Sequence, residues 1–151
     1  MQMAVVEAAR NLAGLADAGS EEFGREGRFH FKSLMEQGWR LNGSSDVWIG
    51  SEREATNPMF SIWCCLKRQA YSGKIIDAEE ALSLDQALRM HTLDSAAALG
   101  EDDVRGSLAP GKFADVIALE KDPFEVPVDE LRTMKVDYVM ARGRCVRNTT
   151  E

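Results

Sequence analysis

Few side chains in this sequence have the types and spacing that metal or nucleophilic chemistry requires. The chain has two histidines, His30 and His91, and three cysteines, and none of them forms a His-x-His or Cys-x-x-Cys pair. A structural zinc ion takes four protein ligands, and a catalytic one takes about three and keeps an open position. We therefore interpret each histidine as a packed or exposed helix residue.

One carboxylate, Asp46, is distinguished by its position. Residues 39–42 (Trp-Arg-Leu-Asn) alternate in polarity and run into Gly43-Ser-Ser-Asp46, which predicts a short strand that ends in small residues and an acid. In barrels of parallel strands the catalytic groups lie at the carboxyl ends of strands. An aspartate at such a place is also a common turn residue that caps its own backbone. From the residues alone, both interpretations stay open.

The elements around Asp46 are predicted mainly from helix signals. Alanines favour a helix up to Gly19, and residues 29–37 have helical spacing that Gly38 ends. Asn57-Pro58 opens a helix over 59–71. Ser83 and Gln86 match a capping box, and Thr92 is expected to cap a further short helix over 93–99.

The last third of the chain changes from helical to alternating spacing. Residues 114–119 (Ala-Asp-Val-Ile-Ala-Leu) predict a buried strand after the turn at Pro110-Gly111. Residues 136–141 and 144–147 predict a hairpin around Arg142-Gly143. Between them, residues 128–134 support one or two helical turns.

The order of these motifs resembles the closing segment of metal-dependent amidohydrolases. It is carried by the strand ending in Ser-Asp46, the Asn57-Pro58 helix, the helix pair that ends at Ala-Leu-Gly100, and Gly106-Ser-Leu-Ala-Pro-Gly-Lys-Phe-Ala-Asp115. Residues 122–144 are similar to the amidohydrolase 3 branch, the YtcJ-like proteins. The likeness covers about Glu22 to Val146.

The resemblance implies an α/β fold made of the terminal strand/helix units of a (β/α)₈ barrel, followed by a small β-sandwich segment. On this interpretation residues 1–27 are an N-terminal helix and linker, residues 28–103 end the barrel, and residues 104–148 belong to the sandwich. Asp46 then corresponds to the aspartate that contacts the metal and takes a proton from the metal-bound water. The family commonly has a glycine directly before this Ser-Asp pair, whereas here Ser44 stands there and Gly43 lies one place earlier.

The resemblance also shows what these 151 residues lack. A full barrel takes about 250 residues, and the His-x-His pair that grips the family's divalent metal, first of all zinc, is absent. We therefore expect a fragment of a hydrolase that acts on the carbon–nitrogen bonds of small amide-type molecules, with no metal bound by this chain alone and no activity of its own. The alternatives are a non-catalytic interaction module that self-associates or completes a partner chain, and a metal site shared between copies by Asp46, His30 and His91. Asp115 is expected to be a strand-edge or capping acid, and Glu36 and Asp94 to be solvated helix residues.

Composition bounds the partners. The formal charge is −7 with no basic cluster, which argues against nucleic acid. No stretch approaches the about 20 apolar residues that span a bilayer. The three cysteines form no even framework, so reduced thiols in a cytoplasmic protein are expected.

Overall fold

The computed structural model describes residues 30–45, 53–70 and 73–149. The helix predicted up to Gly19, the unit 1–27 and Asp46 lie outside these ranges. Five α-helices and three strands are described: α1 (Phe31–Glu36), α2 (Pro58–Lys67), α3 (Leu84–His91), α4 (Leu93–Ala98), β1 (Val116–Leu119), α5 (Val128–Leu131), β2 (Val136–Ala141) and β3 (Arg144–Asn148). Two 3₁₀ turns, Arg53–Thr56 and Ala78–Glu80, precede α2 and α3.

Helix α2 begins as its sequence predicts. The Asn57 side chain accepts a hydrogen bond from the Met59 N–H at 3.0 Å, and Pro58 occupies the first turn, where its missing N–H costs little. The helix ends at Arg68, which adopts a left-handed conformation (φ 51°), so α2 is shorter than the predicted 59–71. The Ile76 N–H then donates to the Arg68 carbonyl, and this bond turns the chain back along the helix.

Helix α3 has the predicted capping box. The Ser83 hydroxyl accepts from the Gln86 N–H at 3.2 Å, and the Gln86 side chain accepts from the Ser83 N–H at 2.9 Å. Thr92 does not cap α4 as predicted. Its hydroxyl donates to the Leu88 carbonyl at 2.8 Å and so binds the end of α3 instead.

The three strands form one antiparallel sheet in the order β1-β2-β3. Strands β2 and β3 make the predicted hairpin, whose turn residues Arg142 and Gly143 both have positive φ (48° and 77°). The prediction for β1 is wrong in one respect: a buried strand is expected, whereas Ile117 is 54% exposed. Only one apolar residue of β1, Leu119, packs against the main core. A second sheet, which a sandwich requires, does not occur among the described residues.

The core forms around α2. Phe60, Ile62 and Cys65 of α2 pack in one buried cluster with residues before and after them in the chain. The most buried large side chains contributed by other elements are Phe31, Met90 and Leu131. The sheet meets this core through Leu119 of β1, and the chain between β1 and β2 contributes Val126, Leu131 and Met134 to it. Among the described residues, no helix has the length and apolar character that a bilayer-spanning segment needs.

The strand predicted for residues 39–42 is not formed. Residues 39–45 are extended but pair with no strand in the described part of the chain. Their backbone donors go to helices instead: the Trp39 N–H donates to the Leu34 carbonyl at 3.0 Å, and the Gly43 N–H to the Met90 carbonyl at 3.0 Å. A strand exists only through its neighbours, so the barrel portion of the expected fold is not confirmed.

Candidate active site

The segment that leads to Asp46 is fixed by two helices. Leu41 is buried in the core, and Gly43 is held by its hydrogen bond to Met90 at the end of α3. Residues 43–45 are the described residues that immediately precede Asp46 in the chain. Asp46 lies outside the described residues, and its role stays a prediction.

The imidazole of His91 lies flat against Gly43. A Cβ atom added to Gly43 would be 2.5–2.7 Å from three ring atoms of His91, which is closer than real Cβ contacts. His91 Nδ1 is 2.9 Å from the Ala87 carbonyl oxygen. Because a carbonyl only accepts, Nδ1 carries the proton and Nε2 holds the lone pair. Burial lowers the pKa of His91, although the Ala87 carbonyl opposes that shift.

The Nε2 atom of His91 is shielded from solvent and has no hydrogen-bond partner within residues 30–45, 53–70 and 73–149. A buried acceptor without a donor costs free energy, so this nitrogen is available to a donor that approaches the segment. The prediction that His91 is a packed helix residue is correct. Its contact with Gly43 could not be predicted, because 48 residues separate the two positions in the chain.

His30 lies beside Glu80, at the start of α1. Its side chain is 46% exposed, and its Nδ1 lies 3.4 Å from Oε1 of Glu80. The buried Glu80 carboxylate accepts from the Ser33 N–H at 3.0 Å and from the Ser33 hydroxyl. Burial raises the pKa of Glu80, but the Ser33 donors and the His30 imidazole outweigh it, and the pKa lies below its ordinary value. The residue before α1, His30, makes no side-chain capping bond. Glu80, which is remote in the sequence, therefore supplies the acceptor for a free N–H in the first turn of α1.

The donors in the described residues do not fit a metal ion. No group of three or more histidine, cysteine, aspartate or glutamate side chains converges within residues 30–45, 53–70 and 73–149. The Glu80 carboxylate already accepts two hydrogen bonds from Ser33. Cys64 and Cys65 are buried in α2, and burial raises the pKa of the Cys65 thiol above its ordinary range.

Asp94 was expected to be solvated, and this is wrong. The residue is 4% exposed and forms ion pairs with Arg40 (Nε to Oδ1, 3.0 Å) and Arg89 (Nε to Oδ2, 3.5 Å). The hydrogen bond to Asp94 raises the pKa of Arg40, and Asp102 adds to it, while desolvation works against both. The pair ties the extended segment to the start of α4. Glu36 is exposed, as expected.

The Gly-Lys-x-Ala-Asp segment has a structural role. Lys112 Nζ donates to the backbone carbonyls of Asp102 and Arg105, the latter at 3.1 Å, and so closes the loop after α4. Asp115 accepts from the Arg142 N–H at 2.7 Å and caps the hairpin turn, in agreement with its predicted role. Neither side chain is placed for catalysis by these contacts.

Comparison with known proteins identifies the family. The model of the amidohydrolase family matches residues 6–147 of this chain. The match begins sixteen residues before Glu22, the residue from which the sequence resembles the family. The N-substituted formamide deformylase of Arthrobacter pascens is 32% identical over 108 residues, covering 72% of this chain and 19% of that protein. The putative amidohydrolase YtcJ of Bacillus subtilis (strain 168) is 26% identical over 121 residues, covering 78% of this chain and 22% of that protein.

A shorter similarity is of another kind. A stretch of 36 residues, 23% of this chain, is 77% identical to part of the CTP synthase of Paracoccus denitrificans (strain Pd 1222), of which it covers 7%. So small a share of that protein transfers no activity to this chain.

One solved structure has a fold similar to that of this chain. The chain superposes with a TM-score of 0.62 on the crystal structure of uncharacterized protein eah89906, at 20% sequence identity. The superposition covers 95% of this chain and 34% of that one. The chain spans about a fifth of the length of the curated relatives it matches. Because the family model covers nearly all of its residues, the chain belongs to the amidohydrolase family, in the family 3 branch that includes YtcJ-like proteins.

Proposed function

We propose that this chain is the C-terminal part of a metal-dependent hydrolase that acts on carbon–nitrogen bonds of small amide-type molecules. The observation that carries the proposal is the family match over residues 6–147 in a chain that spans about a fifth of its relatives. One relative, the N-substituted formamide deformylase, is named for removing a formyl group from such a carbon–nitrogen bond. A cytoplasmic location fits the reduced state of Cys64, Cys65 and Cys145, which form no disulfide with one another.

In this proposal Asp46 would help to hold the metal, with zinc as the first candidate, and would accept a proton from the attacking water. A bound divalent ion lowers the pKa of its water to about 7, and a carboxylate nearby can then take the proton. The other metal ligands are supplied by parts of the enzyme that this sequence does not contain. The isolated chain is therefore inactive in our proposal, because a catalytic ion needs about three protein ligands.

The test is a graft. Residues 39–147 replace the matching region of the formamide deformylase, and hydrolysis of an N-substituted formamide is measured with zinc present. The active graft should lose activity by about 10³-fold or more when Asp46→Asn is introduced, as expected when a general base and metal contact is removed. Asp85→Asn, an exposed residue of α3, is the matched control and should change kcat/KM little. An Asp46→Asn graft with undiminished turnover would contradict the proposal, as would amide hydrolysis by the 151-residue chain that chelator and Asp46→Asn both abolish.

A second candidate function is an interaction module that self-associates or completes a partner chain. The observation that favours it is the exposure of large apolar side chains on the extended segment and the sheet, among them Trp39 (61%), Ile117 (54%) and Val146 (67%). Apolar surface of this kind marks contact sites. Light scattering distinguishes the candidates, since a clean monomer of 16.7 kDa would count against this one.

A further inference from the structure

The contact between Gly43 and His91 joins two features that have no common explanation in the sequence. One is the glycine, which stands one place earlier than the family pattern has it. The other is a shielded imidazole whose Nδ1 is hydrogen-bonded to Ala87 and whose Nε2 has no hydrogen-bond partner in the part of the chain that the structure describes. In the structure these features touch, because the ring occupies the space where any other residue at position 43 would place its Cβ.

The direction of the contact shows which partner fixes the other. His91 is held by its own helix, through the bond from Nδ1 to the carbonyl four residues earlier. The extended segment, in contrast, pairs with no strand in the described ranges and is held near its end by the Gly43 bond to Met90. The ring is therefore the fixed surface, and the backbone of residues 43–45 is laid against it.

We propose that His91 is a positioning residue: its ring, matched to a glycine at position 43, sets where the backbone of residues 43–45 lies. This inference deepens the proposed function, on which it rests, because residues 43–45 lead to the candidate site. The displaced glycine and the histidine form one coupled feature. A change at either position should be felt at the other and only weakly elsewhere.

The experiment measures amide hydrogen exchange in the full 151-residue chain. The probe is the Gly43 amide, whose hydrogen bond to Met90 depends on the position of the segment, and the reference is the set of amides in the buried part of α2. His91→Ala should speed exchange at Gly43 by about tenfold or more and leave α2 nearly unchanged, because local opening precedes global unfolding. His91→Phe keeps a ring of similar shape and should restore slow exchange. General destabilisation would instead speed both sets of amides together.

Coupling is tested by combining substitutions and measuring urea unfolding. Gly43→Ala should lower the unfolding midpoint strongly when His91 is present and little when it is combined with His91→Ala, which empties the space for the new Cβ. Gly106→Ala is the matched control: its Cβ would meet Ala96 at 2.6 Å, so it should cost the same with either residue at position 91. If Gly43→Ala alone does not fold, the double variant should still fold.

Three results would overturn the inference. The first is that Gly43→Ala lowers the urea unfolding midpoint equally with histidine and with alanine at position 91. The second is that the double variant folds no better than Gly43→Ala alone. The third is that amide hydrogen exchange at Gly43 is unchanged in His91→Ala. None of these readouts depends on turnover. Failure here is therefore distinct from failure of the graft experiment, which tests the chemistry of Asp46.

Discussion

Glu80 is the residue on which the start of α1 depends. Its carboxylate is buried and accepts two hydrogen bonds from Ser33, so it replaces the missing cap of a helix that lies 47 residues earlier in the chain. No pattern around Glu80 in the sequence indicates this, because both donors are remote. The interaction is charge-assisted and shielded from water, which makes it stronger than a surface ion pair.

Glu80→Gln should therefore lower the free energy of unfolding at pH 7 by about 1 to 2 kcal/mol. The folded-state pKa of Glu80 is below its unfolded value, so its stabilisation is complete above an unfolded pKa of about 4.3 and is lost as the pH falls through the folded pKa. Urea unfolding at pH 7 and in acid measures both effects. Glu79→Gln, its exposed neighbour, is the control. Equal losses for the two variants would contradict the capping role.

His91 should give the chain a separate pH dependence at higher pH. Its folded-state pKa is below the unfolded value of about 6.5, so its folded environment favours the neutral ring. Stability is then complete above the unfolded pKa and declines as the pH falls through the folded pKa. His91→Phe should flatten this part of the stability profile, whereas His30→Gln should leave it in place. A profile unchanged by His91→Phe would show that the imidazole does not titrate with folding.

At the scale of elements, the local signals were the reliable ones. The Asn57-Pro58 start of α2, the capping box of α3 and the hairpin around Arg142-Gly143 were predicted correctly, since each depends on residues within a few positions of one another. The strand over 39–42 failed because pairing depends on a neighbour that the local sequence does not specify. The prediction that Asp94 is solvated failed for the same reason, since its ion-pair partner Arg40 lies 54 residues away in the chain.

The capping box of α3 offers a direct test of a local signal. Ser83→Ala removes the acceptor for the Gln86 N–H and should lower the free energy of unfolding by about 1 kcal/mol. Thermal unfolding followed by circular dichroism measures the change. Ser107→Ala, in the loop before β1, is the control and should have a much smaller effect. A cost below that of the control would mean that solvent satisfies the helix start as well as Ser83 does.

At the scale of the whole molecule, the sequence predicts the family and the order of elements but not how the surface is covered. The motifs from Asn57 to Asp115 carry the family, which comparison confirms. In the candidate site, Asp46 comes from the resemblance and stays a prediction. The Gly43–His91 contact and the Arg40–Asp94 pair could not be predicted, because they depend on distant residues brought together by folding. Exposure likewise depends on what packs across a face, which alternation along one strand does not specify.

The exposed sheet makes a prediction about the chain in solution. Ile117 of β1 and Val146 of β3 are more than half exposed, and β1 and β3 are the two edge strands of the sheet that the described residues form. Apolar edges of this kind favour association, so the apparent mass should rise above 16.7 kDa as concentration increases. Ile117→Lys combined with Val146→Lys should return the protein to a monomer in light scattering, because two charges would have to be desolvated in the contact. Glu36→Lys is the control for added positive charge, since it changes an exposed residue of α1. If that variant dissociates the assembly as fully as the sheet variant does, net charge and not the apolar sheet governs association.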